Sequence, residues 1–231
     1  MRKALVVLSG GQDSTTCLYF AKSKGMELHA ITFDYGQRHA IELQAARDIA
    51  QLAGCASHEV IVLGADALQG TSPLTNRAVP VETYASAEVL PGGIEKTFVP
   101  MRNALFLTIA ANRAVVRGCD VIYTGVSQED YGGYPDCRRE FLIAMQAMID
   151  DALGESVEVS PALRAPLLNS NKRQTVGLAQ SLPGCMEALA LSHTCYQGLR
   201  PPCGKCHSCL LRAKGFAEAG VIDPLTERLA S

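Results

Sequence analysis

Short apolar runs alternate with segments of helical character along the first half of the chain. The apolar runs are residues 4–8, 28–33, 60–63 and 121–124. The helical segments are residues 15–23, 41–53 and 103–117. Apolar runs of this length are typical of parallel strands that are buried on both faces. Four strands separated by helical or long connecting segments predict an α/β fold with a doubly wound parallel sheet.

The rest of the chain is less regular. Residues 64–97 have no clear period and contain several prolines and glycines, which predicts a long loop. Further helices are predicted at 139–153 and 172–180, and 161–168 forms a short apolar bridge between them.

The composition shifts to Cys, Gly and Pro after residue 182. This shift predicts a main domain at 1–182 and a small C-terminal module at 183–231. We expect the module to end in a short helix and a tail.

Composition and charge exclude several classes of protein. Hydrophobic residues make up 48% of the chain and charged residues 19%, which is typical of a globular protein. The formal net charge of −2 requires no polyanionic partner such as nucleic acid. No apolar run reaches the ~18 residues of a membrane span, and the N-terminus is too short for a signal peptide. We therefore expect a cytoplasmic protein that binds neither nucleic acid nor a membrane.

Residues 9–15, the phosphate loop, follow the first predicted strand and read SGGQDST. The two glycines allow backbone amides to approach an anion, and Ser9, Ser14 and Thr15 add hydroxyl groups. A helix N-terminus favours negative charge at the same place. The loop therefore predicts a phosphate site that is neither a Walker loop nor a dinucleotide fingerprint. The alternative is a tight strand–helix turn with a hydroxyl cap.

Four of the nine cysteines lie within fifteen residues of one another: Cys195, Cys203, Cys206 and Cys209, the cysteine cluster. Two cysteines separated by two residues can bind one tetrahedral metal ion. Four thiolates leave no open position, so the cluster predicts one structural Zn²⁺ per chain. The alternatives are an iron–sulfur cluster, a redox pair, or a site in which His193 or His207 replaces a cysteine. We expect the other five cysteines to be small core residues.

The phosphate loop resembles that of the N-type ATP pyrophosphatases, or PP-loop enzymes. These enzymes split ATP between its α- and β-phosphates and adenylate an oxygen of the substrate. The resemblance implies an adenine nucleotide alpha hydrolase-like fold. It also implies catalytic roles for Asp13 and Ser14, with Asp13 near a Mg²⁺ ion. Contacts with ATP are implied for Leu8, Ser9, Gly10, Gly11, Gln12, Asp13, Ser14, Thr15, Thr16, Cys17 and Leu18.

Three further segments and the cysteine cluster narrow the resemblance. The segments read FDYGQRH at 33–39, FVPMRN at 98–103 and GGYPDCR at 132–138. In this order they resemble the 7-cyano-7-deazaguanine synthase family of queuosine biosynthesis through nearly the whole chain. One residue departs from that pattern, because the family usually has glycine where Met101 stands. A side chain at that position would narrow the approach to the nucleotide.

The resemblance implies a carbon–nitrogen ligase that uses 7-carboxy-7-deazaguanine, ammonia and ATP. The carboxylate is adenylated and converted to an amide, which is adenylated in turn and loses AMP to give the nitrile. Such chemistry needs positioning and charge neutralisation and no covalent nucleophile. The family also suggests a homodimer.

Two other functions remain open at this point. A PP-loop tRNA thiolation enzyme would use a sulfur-carrying cysteine such as Cys137. An RNA-binding zinc-knuckle protein would use the cysteine cluster and leave the phosphate loop idle.

Three cations are candidates for the site. Lys172 lies in a segment that resembles the P-L-x4-K element of the family, and we expect it to reach an ATP phosphate. Arg102 and Arg38 would neutralise phosphate or the substrate carboxylate through their planar guanidinium groups. Each of the three alternatively is a solvated surface residue.

The Gly- and Tyr-rich loop after the fourth strand is the candidate substrate loop. Tyr131 and Tyr134 are expected to stack on the deazaguanine ring. Glu129, Asp130 or Asp136 would accept hydrogen bonds from its amino and ring N–H groups, and Asp136 is our candidate. The alternative is an ordinary surface loop.

Overall fold

The computed structural model describes residues 1–128, 134–158 and 160–230. Its described part contains one parallel sheet of five strands in the order β3-β2-β1-β4-β5. The strands are β1 (Lys3–Val7), β2 (Glu27–Asp34), β3 (Ser57–Val62), β4 (Val121–Tyr123) and β5 (Ala162–Arg164). Since β1 is central and the chain leaves it in both directions, the sheet is doubly wound, as predicted.

Helices connect the strands and complete the C-terminal part. They are α1 (Gln12–Ser23), α2 (Ile41–Ala53), α3 (Arg102–Arg117), α4 (Arg139–Leu153), α5 (Lys172–Ser181), α6 (Cys185–Leu189), α7 (His207–Glu218) and α8 (Pro224–Ala230). Within the described ranges, no helix combines the length and the apolar character needed to cross a membrane.

The side chains of β1 alternate between two hydrophobic layers. Ala4 and Val6 pack with residues of α1, α2 and α5, while Leu5 packs on the opposite face with residues of α3 and α4. Strand side chains alternate in direction, so a continuous apolar run buries both faces of the sheet. This arrangement places the phosphate loop at the carboxyl edge of the central strand.

The four predicted strands and the long loop are confirmed, and the structure adds two features. The segment predicted as an apolar bridge contains β5, a three-residue edge strand in which only Leu163 is buried, so it leaves no periodic signal. Helix α1 begins at Gln12, three residues before the predicted start. Asp13 and Ser14 therefore lie in the first turn of a helix.

Residues after 182 share a core with the sheet. Leu189 of α6 and Phe216 of α7 belong to the same apolar layer as Val6 and Leu18. The division at residue 182 stays a prediction about sequence modules, and both sides of it contribute to one hydrophobic core.

Met101 precedes α3 in a left-handed conformation with φ 62°, and it is the one described non-glycine residue with positive φ. Its side chain is 69% exposed and does not line the cavity described below. A left-handed residue with a Cβ costs about 1–2 kcal/mol, and glycine avoids that cost.

We expect Met101→Gly to raise the free energy of unfolding by about 0.5–1 kcal/mol, after the greater freedom of glycine in the unfolded chain is subtracted. Urea unfolding measures the change. Met148→Gly, in the middle of α4, is the control and should lower stability by about 1 kcal/mol. An unchanged or lower stability of Met101→Gly would contradict the prediction.

Candidate active site

A cavity opens at the carboxyl edge of the sheet, between the ends of β1 and β4. This is the place where connections leave the sheet in opposite directions, and ligands of doubly wound folds bind there. The phosphate loop forms one wall, the ends of β2 and β4 and the start of α3 form others, and Thr194, Tyr196 and Ser208 close it from the C-terminal part.

The phosphate loop is held by its own hydroxyl groups. The Ser9 amide donates to Ser14 Oγ at 3.1 Å, and the Gly11 amide donates to Ser9 Oγ at 3.2 Å. Gly10 has φ +88°, and a Cβ there would lie 2.3 Å from the carbonyl oxygen of Glu42. A Cβ at Gly125, after β4, would lie 2.8 Å from the Ser14 amide nitrogen. Two glycines therefore allow α2 and β4 to approach the loop closely.

The predicted ATP contacts divide into two groups. Leu8, Ser9, Gly11, Gln12, Asp13 and Ser14 line the cavity. The side-chain amide of Gln12 is buried without a hydrogen-bond partner among the described residues, so it is available to a ligand.

The second group, Gly10, Thr15, Thr16, Cys17 and Leu18, does not contribute to the described lining. The hydroxyls of Thr15 and Thr16 bond to backbone carbonyls one turn earlier, and Cys17 and Leu18 are core residues. Contact of this group with ATP stays a prediction.

The structure brings Asp13 and Lys172 together, although 159 positions separate them. Lys172 Nζ donates to both carboxylate oxygens of Asp13, at 2.9 and 2.7 Å, and both side chains are buried. Asn171 and Gln174 form a capping box that fixes the start of α5. This ion pair places the Lys172 ammonium beside the phosphate loop, but Lys172 lies outside the described lining, so its contact with ATP stays a prediction.

Arg102 opens α3 and lines the cavity together with Tyr35, and its positive charge lowers the pKa of the Tyr35 hydroxyl, which burial raises. Asp136 supports this helix start: its carboxylate accepts from the Asn103 amide at 3.4 Å, and its carbonyl accepts from Asn103 Nδ2 at 3.1 Å. Burial raises the pKa of Asp136, and the nearby Arg102 opposes that shift. Asp136 lies behind the described lining, so its contact with substrate stays a prediction.

Tyr134 lines the cavity, and its hydroxyl lies 2.8 Å from Thr97 Oγ1. Burial raises the pKa of Tyr134 to about 12 and that of the neighbouring Cys137 to about 12. Cys137 also lines the cavity, and its burial favours the thiol form near neutral pH. Tyr131, Glu129 and Asp130 lie outside the described residues.

Arg38 lies outside the described lining. Its guanidinium donates to the carbonyl oxygens of Pro73, Asn76 and Val79 at 2.9, 3.1 and 2.7 Å, and so anchors the long loop. These hydrogen bonds give Arg38 a structural role in the long loop. Its contact with the substrate stays a prediction.

His39 and Glu42 were missed by sequence reasoning and line the cavity. His39 Nε2 lies 3.6 Å from Glu42 Oε2. Burial and then the charge of Arg102 lower the pKa of His39 to about 3, while burial raises the pKa of Glu42. Their position in the sequence could have indicated them, since both follow β2 at the same sheet edge as the phosphate loop.

The cysteine cluster is assembled as predicted. Its four sulfur atoms lie within 4.8 Å of one another, and Cys203 Sγ is 3.9 Å from Cys209 Sγ. A tetrahedral Zn–S distance of about 2.3 Å gives a sulfur–sulfur spacing of about 3.8 Å, so the donor set fits this ion. Hydrogen bonds with Cys206 and Cys209 lower the pKa of Cys195, and the contact with Cys195 raises the pKa of Cys209.

His207 does not belong to the cluster. Its Nε2 lies 3.0 Å from Glu95 Oε1, and the described metal-binding group contains cysteines only. Backbone amides of Cys203 and Cys206 donate to cluster sulfurs at 3.4 and 3.3 Å.

Residues 3–220 match the model of a family described as "Queuosine biosynthesis protein QueC". The chain is 51% identical over 228 residues to 7-cyano-7-deazaguanine synthase of Gloeobacter violaceus, covering 97% of this chain and 96% of that one. It is 52% identical over 227 residues to the enzyme of the same name from Laribacter hongkongensis, covering 98% and 95%.

One solved structure agrees with the fold. A 4-thiouridine synthetase in complex with RNA and bound ATP aligns with a TM-score of 0.50 and 16% identity, over 100% of this chain and 54% of that one. This likeness concerns the fold alone.

Proposed function

The chain belongs to the queuosine biosynthesis protein QueC family, and from this we propose that it converts 7-carboxy-7-deazaguanine, ammonia and ATP to 7-cyano-7-deazaguanine. The observation that carries the proposal is the identity of about half of all residues, over 97% of the chain, with enzymes named for this product. The cavity supplies the parts that two adenylation steps require.

In each adenylation, an oxygen of the substrate attacks the α-phosphate and pyrophosphate leaves. We infer that the phosphate loop holds the pyrophosphate with backbone amides and the hydroxyls of Ser9 and Ser14. Asp13 holds the Lys172 ammonium beside the loop. Preorganised donors of this kind stabilise charge as it develops in the transition state.

A magnesium ion is the implied partner of ATP. Asp13 and the hydroxyls of Ser9 and Ser14 are oxygen donors that line the cavity, which is the donor type this ion prefers. When bound, Mg²⁺ would neutralise phosphate charge.

Arg102 is the candidate for the substrate carboxylate, because it is the arginine of the described lining. Tyr134, packed on Phe98, supplies an aromatic face at the same cavity. We infer that the deazaguanine lies between this face and the end of α3, with its carboxylate toward the phosphate loop.

The cysteine cluster is proposed to hold Zn²⁺ with a structural role. Val81 of the long loop packs against the cysteine cluster. Ser208, which lines the cavity, lies in the sequence between two cysteines of the cluster. The ion would therefore hold the long loop and one cavity wall together.

Assembly and location are proposals as well. The family resemblance suggests a homodimer. None of the nine cysteines, all of which lie in the described ranges, forms a disulfide, which suits the reducing cytoplasm.

Incubation with 7-carboxy-7-deazaguanine, ammonium and Mg-ATP should yield the nitrile with two AMP formed per nitrile, measured by mass spectrometry and AMP quantification. Without ammonium, the nitrile should be absent. Wild-type protein that forms neither adenylate nor nitrile would refute the proposed function. Cys137, the candidate sulfur carrier of a thiolation enzyme, lines the same cavity, but its burial favours the less nucleophilic thiol form.

A further inference from the structure

Two carboxylates line the described part of the cavity, those of Asp13 and Glu42. Lys172 Nζ contacts both oxygens of Asp13, so this carboxylate forms an ion pair. The Glu42 carboxylate lies in a different environment. The distance between His39 Nε2 and Glu42 Oε2 is 3.6 Å, which is beyond hydrogen-bond distance. The two carboxylates therefore have different electrostatic environments within one cavity.

Glu42 is close to the groups that handle the reacting carboxylate. Its own carbonyl oxygen packs on Gly10 of the phosphate loop, where a Cβ would approach to 2.3 Å. Its side chain is 12% exposed and faces the same cavity as Arg102. In the proposed function the carbon under attack lies between Arg102 and the phosphate loop, and Glu42 lines the same cavity as both.

The nitrogen must lose every proton it brings. Ammonia enters as NH₃ and the product holds it as C≡N, so three protons leave one nitrogen atom. When ammonia attacks the adenylated carboxylate, the C–N bond forms, the C–O bond breaks with its electron pair on AMP, and one proton leaves. The amide then loses two more protons, one as its oxygen bonds to the α-phosphate and one as the second AMP departs.

We propose that Glu42 is the catalytic base that accepts these protons; the assignment rests on the proposed function. Each proton passes from nitrogen to a carboxylate oxygen of Glu42 and then to solvent through the open side of the cavity. His39 is buried beside Glu42, with its Nε2 3.6 Å from the carboxylate.

The charges around Glu42 suit this role. Burial raises its pKa, and the positive charge of Arg102 from α3 opposes that shift. His39 is neutral because its pKa is about 3, so it does not neutralise the Glu42 carboxylate. A carboxylate with a raised pKa accepts a proton more readily than an ordinary one.

The test compares wild type and Glu42→Gln in three assays with 7-carboxy-7-deazaguanine and Mg-ATP. Pyrophosphate–ATP exchange without ammonia measures adenylation, ammonium measures nitrile formation, and hydroxylamine measures hydroxamate formation. Hydroxylamine is neutral at pH 7, and its adduct loses a proton to water more easily than that of ammonia. We expect nitrile formation to fall by about 10²–10³-fold. Exchange should remain near the wild-type rate, and hydroxamate formation should fall much less than nitrile formation.

Two further variants are compared with Glu42→Gln, one conservative replacement and one control. Glu42→Asp keeps a carboxylate and should recover part of the nitrile activity. Glu140→Gln makes the same substitution in the first turn of α4, at an exposed position, and should match wild type. Wild-type nitrile formation by Glu42→Gln would overturn the assignment, and so would an equal loss in all three assays, which indicates a structural role. Absence of exchange in the wild type would instead refute the proposed function.

Discussion

Lys172→Met is expected to lower the kcat of nitrile formation by about 10²–10³-fold, the cost of removing one preorganised charged group from a phosphoryl-transfer site. The Lys172 ammonium lies 2.7 Å from the carboxylate of Asp13, on the phosphate loop. Methionine retains much of the side-chain volume and removes the charge. The same change leaves a buried carboxylate without its ammonium, which should lower the free energy of unfolding by about 3–5 kcal/mol.

The double variant Asp13→Asn with Lys172→Met separates the two effects. Replacing both charged groups removes the unpaired charge, so most of the lost stability should return while activity stays low. Lys214→Met, at an exposed site on α7, is the control and should change stability by less than about 1 kcal/mol. Steady-state kinetics and urea unfolding give both readouts. Wild-type kcat in Lys172→Met would remove this lysine from the mechanism.

Local sequence was sufficient for the centre of the fold. The apolar run of β1, the glycines at 10 and 11 and the hydroxyl residues that follow are contiguous, and a buried strand joined to a helix by such a turn has few alternatives. Edge strand β5 was not predictable in the same way. With three residues and only Leu163 buried, its conformation depends on pairing with β4.

The site depended on contacts between distant residues. Lys172 was expected near the phosphates only because its segment resembles a family element, and the structure adds that its ammonium contacts the Asp13 carboxylate. Arg38 shows the converse, since its charge is taken up by carbonyl groups of the long loop that no local pattern could indicate. Glu42 was overlooked because an acidic residue in the first turn of a helix is common for electrostatic reasons alone.

Cys206→Ala is expected to abolish binding of the zinc ion that we propose for the cysteine cluster and to lower the stability of the C-terminal part. Apparent binding free energies of structural zinc are about 10–16 kcal/mol, and because the site is absent in the unfolded chain they contribute to folding. We expect a loss of at least about 4 kcal/mol, equivalent to a decrease in Tm of about 10 °C for a chain of this size.

The arrangement of α7 explains why this loss should reach the active site. Cys206 is the N-cap of α7, and the same helix carries Ser208 at the cavity and Phe216 in the core beneath the sheet. Metal analysis, calorimetry and turnover should therefore decline together in Cys206→Ala and in wild type treated with a chelator. Cys55→Ala, outside the cluster, should keep one zinc ion and wild-type turnover. Full Tm and turnover in a metal-free Cys206→Ala protein would show that the ion has no structural role, and iron in the wild type would refute its identity.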